Sequence, residues 1–354
     1  MAIISDDNDF IKTKVKKKNP IIKTEAIEYD KTFENSIRPK TFDEYIGQTE
    51  LKETLRVSTD AALMRGTPLD HILLYGPPGL GKTTLAGVVA GQMGADLKIT
   101  SAPALERPRD IIGILMALKG GEVLFIDEIH RLNKVAEEIL YPAMEDFSLD
   151  MTTGKSQTVK TLRVPLPKFT LIGATTKAGE LSGPLRDRFG IIHRLQFYSV
   201  EELECVIKRT AGILNIKITD DGSNAIAKRS RGTPRIANRL VKRVSDFALI
   251  KYNGIITDDV ANKSLDVLKI DEFGLDTTDR AVLNLIIEKY DGGPVGIETI
   301  AAALSEDVRT LEDVCEPYLL QSGLLQRTPR GRKVSPEAYR HLGKKINSAQ
   351  QSLF

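Results

Sequence analysis

Cysteine is almost missing from this chain: Cys205 and Cys315 are the only two in 354 residues, and they stand 110 positions apart. A disulfide framework and a cysteine-based zinc site are thereby excluded, and the composition suits a reducing compartment. The four histidines, His71, His130, His193 and His341, show no ligand spacing, so no metal is assigned to them. Charge of one sign is also lacking, with 50 Lys and Arg against 48 Asp and Glu and a net charge of +2. A uniformly basic DNA coat is ruled out; any nucleic-acid surface must be local. The longest apolar run, near Ile111–Leu118, falls far short of a membrane span. The first residues lack the apolar stretch of a signal peptide. The expectation is a soluble, cytoplasmic protein with no membrane partner. Its 41 % hydrophobic and 28 % charged residues can build a sizeable core and exclude overall disorder. At about 150 residues per domain, the length predicts two or three domains.

Residues 1–30 read as a flexible basic N-terminal tail. Lys12, Lys14, Lys16, Lys17 and Lys18 crowd together with little periodicity around them. A solvated leader is the plain reading, and an auxiliary nucleic-acid contact is the other. Beyond residue 31, apolar strands at His71–Tyr75, Val123–Ile126 and Phe169–Ala174 alternate with helices, one at Lys82–Met93 and one running through Met144. That rhythm predicts an α/β fold with a parallel sheet covered on both faces. Leu149–Leu166 alternates around Gly154 and reads as a hairpin. Residues 199–268 read as helical throughout, with amphipathic stretches at Val200–Leu214, Ser223–Arg229 and Pro234–Tyr252.

Residues 276–345 change rhythm again. Thr277–Tyr290 is an amphipathic helix, and Ile297–Leu304 with Val308–Ser322 forms a helix–turn–helix pair. Leu324–Gln326 is a strand, and Arg327–Lys333 a basic turn flanked by Val334. This is a winged-helix pattern. Residues 324–345 hold seven Lys or Arg against one acid, a footprint that the whole-chain balance conceals. Arg327, Arg330 and Arg332 on the wing, and Arg309 on the preceding helix, are candidate contacts to DNA phosphates. The wing has no aromatic residue, which argues against stacking on single strands.

Gly76-Pro77-Pro78-Gly79-Leu80-Gly81-Lys82-Thr83 satisfies G-x-x-x-x-G-K-[ST] in full, with a strand before it and a helix after. Glycines let backbone N–H groups approach phosphate oxygens with no Cβ in the way. The helix behind them adds unpaired donors and the positive end of its dipole. Lys82 brings a point charge to the β- and γ-phosphates, Thr83 can ligate Mg2+, and Thr84 assists at the α- and β-phosphates. Asp127 and Glu128 end the second strand, 45 residues beyond Lys82. At that sheet edge Asp127 can hold the magnesium shell and Glu128 can polarise the attacking water. Two acids at a strand end are a weak signal alone, since acids also cap helices; the spacing from Lys82 makes it strong. Thr175 or Thr176 closes the third strand, where a hydroxyl can place the water or sense the γ-phosphate. Arg186-Asp187-Arg188 follows Gly183-Pro184. Such arginines are usually surface charges, yet one can supply positive charge from a neighbouring subunit. Gly232-Thr233-Pro234-Arg235 opens a helix from which Arg235 can reach back to the nucleotide. Cys205 and Cys315 read as core thiols, and His130 as a packing or hydrogen-bonding residue.

GPPGLGKTT, LFIDEIHR, GATT, LRDRFG and GTPR resemble the AAA+ ATPase family in order and spacing. RPKTFDEYIGQ, HILLYGPPGLGKTT, GATTKAGELSGPLRDRFG, GTPRIANRL and EPYLLQSGLLQRTPRGR narrow the resemblance to the RuvB branch-migration motors, from about Ile37 to Leu342. The resemblance implies a nucleotide gripped by Lys82 and Thr83, with Asp127 and Glu128 as the acidic pair and Thr176 as first sensor. It makes Arg188 the arginine finger and Arg235 the second sensor. Ile37, Arg38, Gly79, Gly81, Thr84 and Tyr198 would surround the nucleotide, with Arg186 nearby and Glu145-Asp146-Phe147 lining the site. ATP and Mg2+ are the implied cofactors. The implied partners are duplex or four-way-junction DNA, further copies in a hexameric ring, a RuvA-like junction-binding protein on the 149–166 hairpin, and a junction-resolving nuclease. The hairpin's tip is polar, with Thr152, Thr153, Lys155, Ser156 and Gln157.

The domains expected are the tail at 1–30, a large ATPase domain at 31–198, a small helical lid at 199–270, a winged-helix head at 271–346 and a C-terminal tail at 347–354. The function expected is ATP-driven translocation of duplex DNA that drives branch migration of Holliday junctions in recombination and repair. The alternatives are a clamp loader or replication initiator, an ATP-gated DNA-binding regulator, and a protein-remodelling ATPase, which would have no use for a basic wing.

Overall fold

The computed structural model describes residues 36–153 and 160–345. The readings of both tails and of the hairpin tip at 154–159 lie outside the described residues. Two units are distinguished, 1–38 and 39–354. Ile37 and Arg38 belong to the first; the account below concerns the second.

The sheet is built from β1 (Ile72–Tyr75), β2 (Leu97–Ser101), β3 (Val123–Asp127), β6 (Thr170–Thr175) and β7 (Ile191–Arg194). Its order is β2-β3-β6-β1-β7, with every pairing parallel. The central strands are short apolar runs because both faces are covered. Successive side chains then serve opposite layers. Ile72 and Leu74 join one core with α1 (Thr49–Arg65) and α2 (Lys82–Gln92), while Leu73 joins another with α3 (Pro108–Met116), α4 (Lys134–Glu145) and the short α5 (Gly183–Arg186). Sequence reading found β1, β3 and β6. It did not find β2 or β7, the two edge strands, whose partly exposed LKITS and IIHR carry no apolar run. Between α4 and β6, β4 (Ser148–Thr153) and β5 (Lys160–Pro165) pair antiparallel as the expected hairpin.

Residues 199–268 depart from the all-helical expectation. They form α6 (Val200–Ile213), α7 (Asp220–Lys228), α8 (Pro234–Lys251) and α9 (Asp258–Val267), together with β8 (Lys217–Ile218) and β9 (Ile255–Ile256). These two-residue strands pair in parallel and pin the loops before α7 and α9; nothing so short has a legible period. Ser199 and Glu202 close a capping box at the start of α6. Leu203, Ile207, Leu240 and Val244 join the Ile72–Leu74 layer, so this helical module shares its apolar core with one face of the sheet.

The C-terminal module has a core of its own, including Leu283, Ile286, Ile300, Leu319, Val334 and Tyr339. α10 (Thr277–Tyr290) and α11 (Ile297–Leu304) match the expected limits. The next helix runs from Val308 to Gln321 but widens to a π turn at Leu311–Cys315. Pro317 follows it and has no N–H to return to the preceding turn. β10 (Leu325–Thr328) and β11 (Gly331–Val334) form the antiparallel wing. No helix among the described residues is long and apolar enough to cross a membrane.

His71, at the foot of β1, ties three elements together. Its Nε2 donates to Met144 O at the end of α4 (3.0 Å), and its Nδ1 accepts from the N–H of Leu171 in β6 (2.9 Å). A second ring proton would remove that acceptor, and burial holds the ring below its ordinary value of 6.5. The unfolded chain binds this proton more readily than the fold does. The stability it contributes is complete above about 6.5 and is lost as pH falls toward the lower folded value. Urea unfolding at a series of pH values below 7 should show stability falling, with His71 responsible for at most about 1.4 kcal/mol per pH unit. His71→Gln should be less stable at neutral pH yet show a shallower slope. An unchanged slope would rule out this role.

Candidate functional site

The loop after β1 is shaped by backbone that only glycine adopts readily. Gly76, Gly79 and Gly81 have φ of 139°, 82° and 93°. A Cβ on Gly81 would lie 3.0 Å from the Tyr45 hydroxyl, and one on Gly79 would lie 3.3 Å from Arg235 Cβ. Gly81 also begins α2 with no side-chain cap, leaving the first-turn N–H groups for an anion. Lys82 is 8 % exposed, and its Nζ donates to Gly76 O (2.7 Å) and Pro77 O (2.9 Å). Burial lowers its pKa, while Glu128 and Asp127 pull it back up. A buried cation beside an uncapped helix start and a side-chain-free loop fits a chain of phosphates.

Parallel pairing aligns the ends of β1, β3 and β6 at one sheet edge. Gly76 N donates to Thr175 O (3.2 Å). Asp127 ends β3, and its Oδ1 accepts from Glu128 N (3.0 Å); Glu128 takes a left-handed backbone with φ 50°. The hydroxyl of Thr176 donates to Glu128 Oε2 (3.2 Å). Thr175, by contrast, is fully buried. Its hydroxyl accepts from Lys177 N and lies 2.9 Å from His130 Nδ1. The two threonines are thereby told apart: Thr176, not Thr175, meets Glu128. His130 Nδ1 also sits 3.3 Å from Glu128 Oε2, and burial lowers its pKa against the pull of Glu128 and Glu180. Thr83 and Asp127 offer the hard oxygen donors magnesium takes. Among the described residues no three His, Cys, Asp or Glu side chains gather into a metal cage; magnesium is usually held by one or two protein oxygens plus substrate phosphates.

The helical module closes over this loop. Arg235 N donates to Gly79 O (3.3 Å), and Tyr198 N donates to Gly232 O (2.9 Å). The Tyr198 hydroxyl donates to that of Tyr45 (3.3 Å), and burial pushes its pKa up to about 12. Tyr45 was missed by sequence reading. Its only signal was its place in the RPKTFDEYIGQ stretch, which carries no recognisable chemistry.

The remaining candidates lie in other surroundings. Arg188 donates to Glu145 Oε2 (2.9 Å) and Pro184 O (2.7 Å), with its guanidinium 4.5 Å from the centre of the Tyr141 ring. Asp146 pairs with Arg163. The Phe147 ring packs against His71 and Phe169. Glu145 and Asp146 thus make their ion pairs with arginines, not with the phosphate loop, and Arg186 is exposed.

On the wing, Arg327 and Arg330 are exposed, and so is Arg309 on its helix. Arg332 corrects the expectation of a phosphate contact. It is buried, with Nε 2.9 Å from Glu316 Oε1, Nη2 3.0 Å from Glu316 Oε2, and Glu312 at 3.4 Å. Strand alternation gives the reason: Arg332 shares its face with Val334, which is in the core. Cys205 is exposed rather than a core thiol, whereas Cys315 is buried.

A parallel sheet with a phosphate loop at its carboxyl edge, a helical lid on that loop and a winged helix beyond define an AAA+ ATPase with a DNA-binding type of module. Three family models cover the chain: the Holliday junction DNA helicase RuvB P-loop domain at residues 37–195, the RuvB AAA lid domain at 198–271 and the RuvB C-terminal winged helix domain at 272–343. The chain belongs to the RuvB family. It is 56 % identical over 341 residues to the Holliday junction branch migration complex subunit RuvB of Crocosphaera subtropica, covering 96 % of each chain. It is 56 % identical over 328 residues to that of a Nostoc species, covering 93 % of this chain and 90 % of the other. A substituted form of Thermotoga maritima RuvB matches with TM-score 0.81 and 50 % identity, over 88 % of this chain and 99 % of that one.

Removing Arg332 should leave Glu316 charged and buried. Arg332→Ala should therefore lower unfolding stability by about 3–5 kcal/mol, whereas Arg330→Ala should change it by no more than about 0.5 kcal/mol. Equal small effects in denaturant unfolding would return Arg332 to the surface.

Proposed function

We propose that this chain is the ATP-hydrolysing motor subunit of a branch-migration complex, working in the cytoplasm on Holliday junctions during recombination and repair. The observation that carries this reading is the meeting of Lys82, Asp127, Glu128 and Thr176 at one sheet edge, in a RuvB-family chain that also bears a winged helix.

The roles follow from chemistry. Bound MgATP supplies the phosphoryl group and part of its charge neutralisation. The N–H groups from Gly79 to Thr84 bind phosphate oxygens, and Lys82 exchanges its loop carbonyls for them. Thr83 and Asp127 hold the magnesium ion. Glu128, steadied by Thr176, orients the attacking water and takes its proton. Arg235 and Tyr198 close the lid side, with Arg186 at the rim. Arg188 leaves Glu145 to stabilise charge at a neighbouring subunit's site, which Glu145, Asp146 and Phe147 help to line. A hexameric ring provides that neighbour. Arg327 and Arg330 grip phosphates of the duplex without reading sequence, and Arg309 adds a contact from the helix. The β4–β5 hairpin receives a RuvA-like protein; Leu162, 56 % exposed and facing Met151 across the ladder, supports an apolar contact there. A junction-resolving nuclease completes the set of partners.

The test is ATP hydrolysis with and without duplex DNA of unrelated sequences. Stimulation by any duplex, weakening steeply with salt, is expected. Glu128→Gln should bind ATP but turn over at least about a hundredfold more slowly. Lys82→Ala and Arg188→Ala should each be inactive alone, the latter by on the order of a thousandfold. Mixed, they should regain activity, because each supplies what the other lacks at a shared site. No recovery on mixing would reject the arginine in trans, and hydrolysis indifferent to DNA would favour protein remodelling.

A further inference from the structure

The lid and the large domain share one apolar core, but the winged head has a separate one. Polar contacts tie head to lid: Arg280 Nη2 donates to Lys269 O (2.8 Å), and a larger set gathers on Arg231. This residue is 8 % exposed with a left-handed backbone at φ 52°. Its Nε donates to Gly274 O (2.7 Å), and its Nη2 reaches Asp279 Oδ2 (2.5 Å) and Asp276 Oδ2 (3.1 Å). Its guanidinium lies 5.5 Å from the centre of the Tyr318 ring, and the Tyr318 hydroxyl donates to Phe273 O (2.6 Å). Asp276 and Asp279 form the capping box that starts α10, the first helix of the head. Asp279 is completely buried, and the thiol of the buried Cys315 lies beside its carboxylate.

The other end of the same short loop touches the phosphate site. Gly232 O accepts from Tyr198 N, and Arg235 N donates to Gly79 O. Arg231 through Arg235 therefore spans from the head's first helix to the phosphate loop in five consecutive residues. A buried ion pair is a poor device for stability alone, because apolar residues of similar volume usually do as well. The directional contacts of Arg231 to Asp276, Asp279 and Gly274 O do something an apolar contact cannot: they set one angular register between the two modules.

We propose that Arg231 and Asp279 form the joint that transmits nucleotide-dependent movement of the 231–235 loop to the DNA-gripping head. Arg231 is a positioning residue for force transmission and does not touch the nucleotide. The proposal rests on the motor reading above.

The test uses the full chain and three variants: Arg231→Lys, Asp279→Asn, and the double Arg231→Met with Asp279→Leu. The double variant removes both buried charges, so it should fold even where a single variant does not. The readouts are kcat and KM for ATP without DNA, the stimulation by duplex, and junction movement on synthetic four-way junctions per ATP hydrolysed. DNA-free kcat and KM should stay within about twofold of wild type. Stimulation and movement per ATP should fall by about 5- to 30-fold. A double variant that keeps wild-type stimulation and movement overturns the joint alone. A fall in DNA-free kcat that matches the fall in movement also overturns it, because Arg231 would then act at the nucleotide. A wild type that DNA does not stimulate overturns the motor reading, and the joint with it.

Discussion

The nucleotide site depends on the hydrogen bonding of β1 along both of its edges. β6 on one side and β7 on the other leave this strand no freedom of register. The last carbonyl of β6 then receives the N–H of Gly76 and fixes where the phosphate loop begins. Parallel strands end at one edge, so the same pairing brings Asp127 and Thr176 level with that loop. Asp127 and Thr176 lie about 50 and 100 positions beyond that loop, and the sheet alone brings them to it.

Arginine plays several parts in this chain, and in each the partner decides the part. Arg332 forks onto Glu316 and becomes a core residue of the head. Arg231 reaches Asp279 and Asp276 through one nitrogen at the seam between lid and head. Arg188 lies against Glu145 and Tyr141 on the surface of its own domain. Arg327 and Arg330 remain exposed on the wing. Burial separates these cases. A guanidinium with a carboxylate in a dry setting stays put, whereas a half-exposed pair exchanges partners at little cost. The exposed pair of Arg188 is thus compatible with a moving role in the motor, and the buried pairs with fixed ones.

Much of the architecture was legible because it rests on local chemistry. The phosphate loop is a run of consecutive residues whose glycines have a steric reason. The limits of α10 and α11 follow from their amphipathic period. β2 and β7 were illegible because an edge strand is defined by its neighbour, not by an apolar run of its own. Cys205 was misplaced because an amphipathic pattern locates a face only to within one residue or so. Tyr45 gave no sign because its significance lies in facing Gly81 and Tyr198 across the fold.

The amino-acid sequence by itself determined the order of modules, the phosphate-binding loop with its acidic strand, and the basic character of the wing. These depend on contiguous residues and on backbone preferences that act within a few positions. Only the tertiary structure decided which of two adjacent threonines meets Glu128, which wing arginine is buried, and where the lid is tied to the head. Each of those choices is an ion pair or hydrogen bond between residues far apart in the chain. Its strength comes from removal from water, and burial is a property of the packed molecule rather than of any segment.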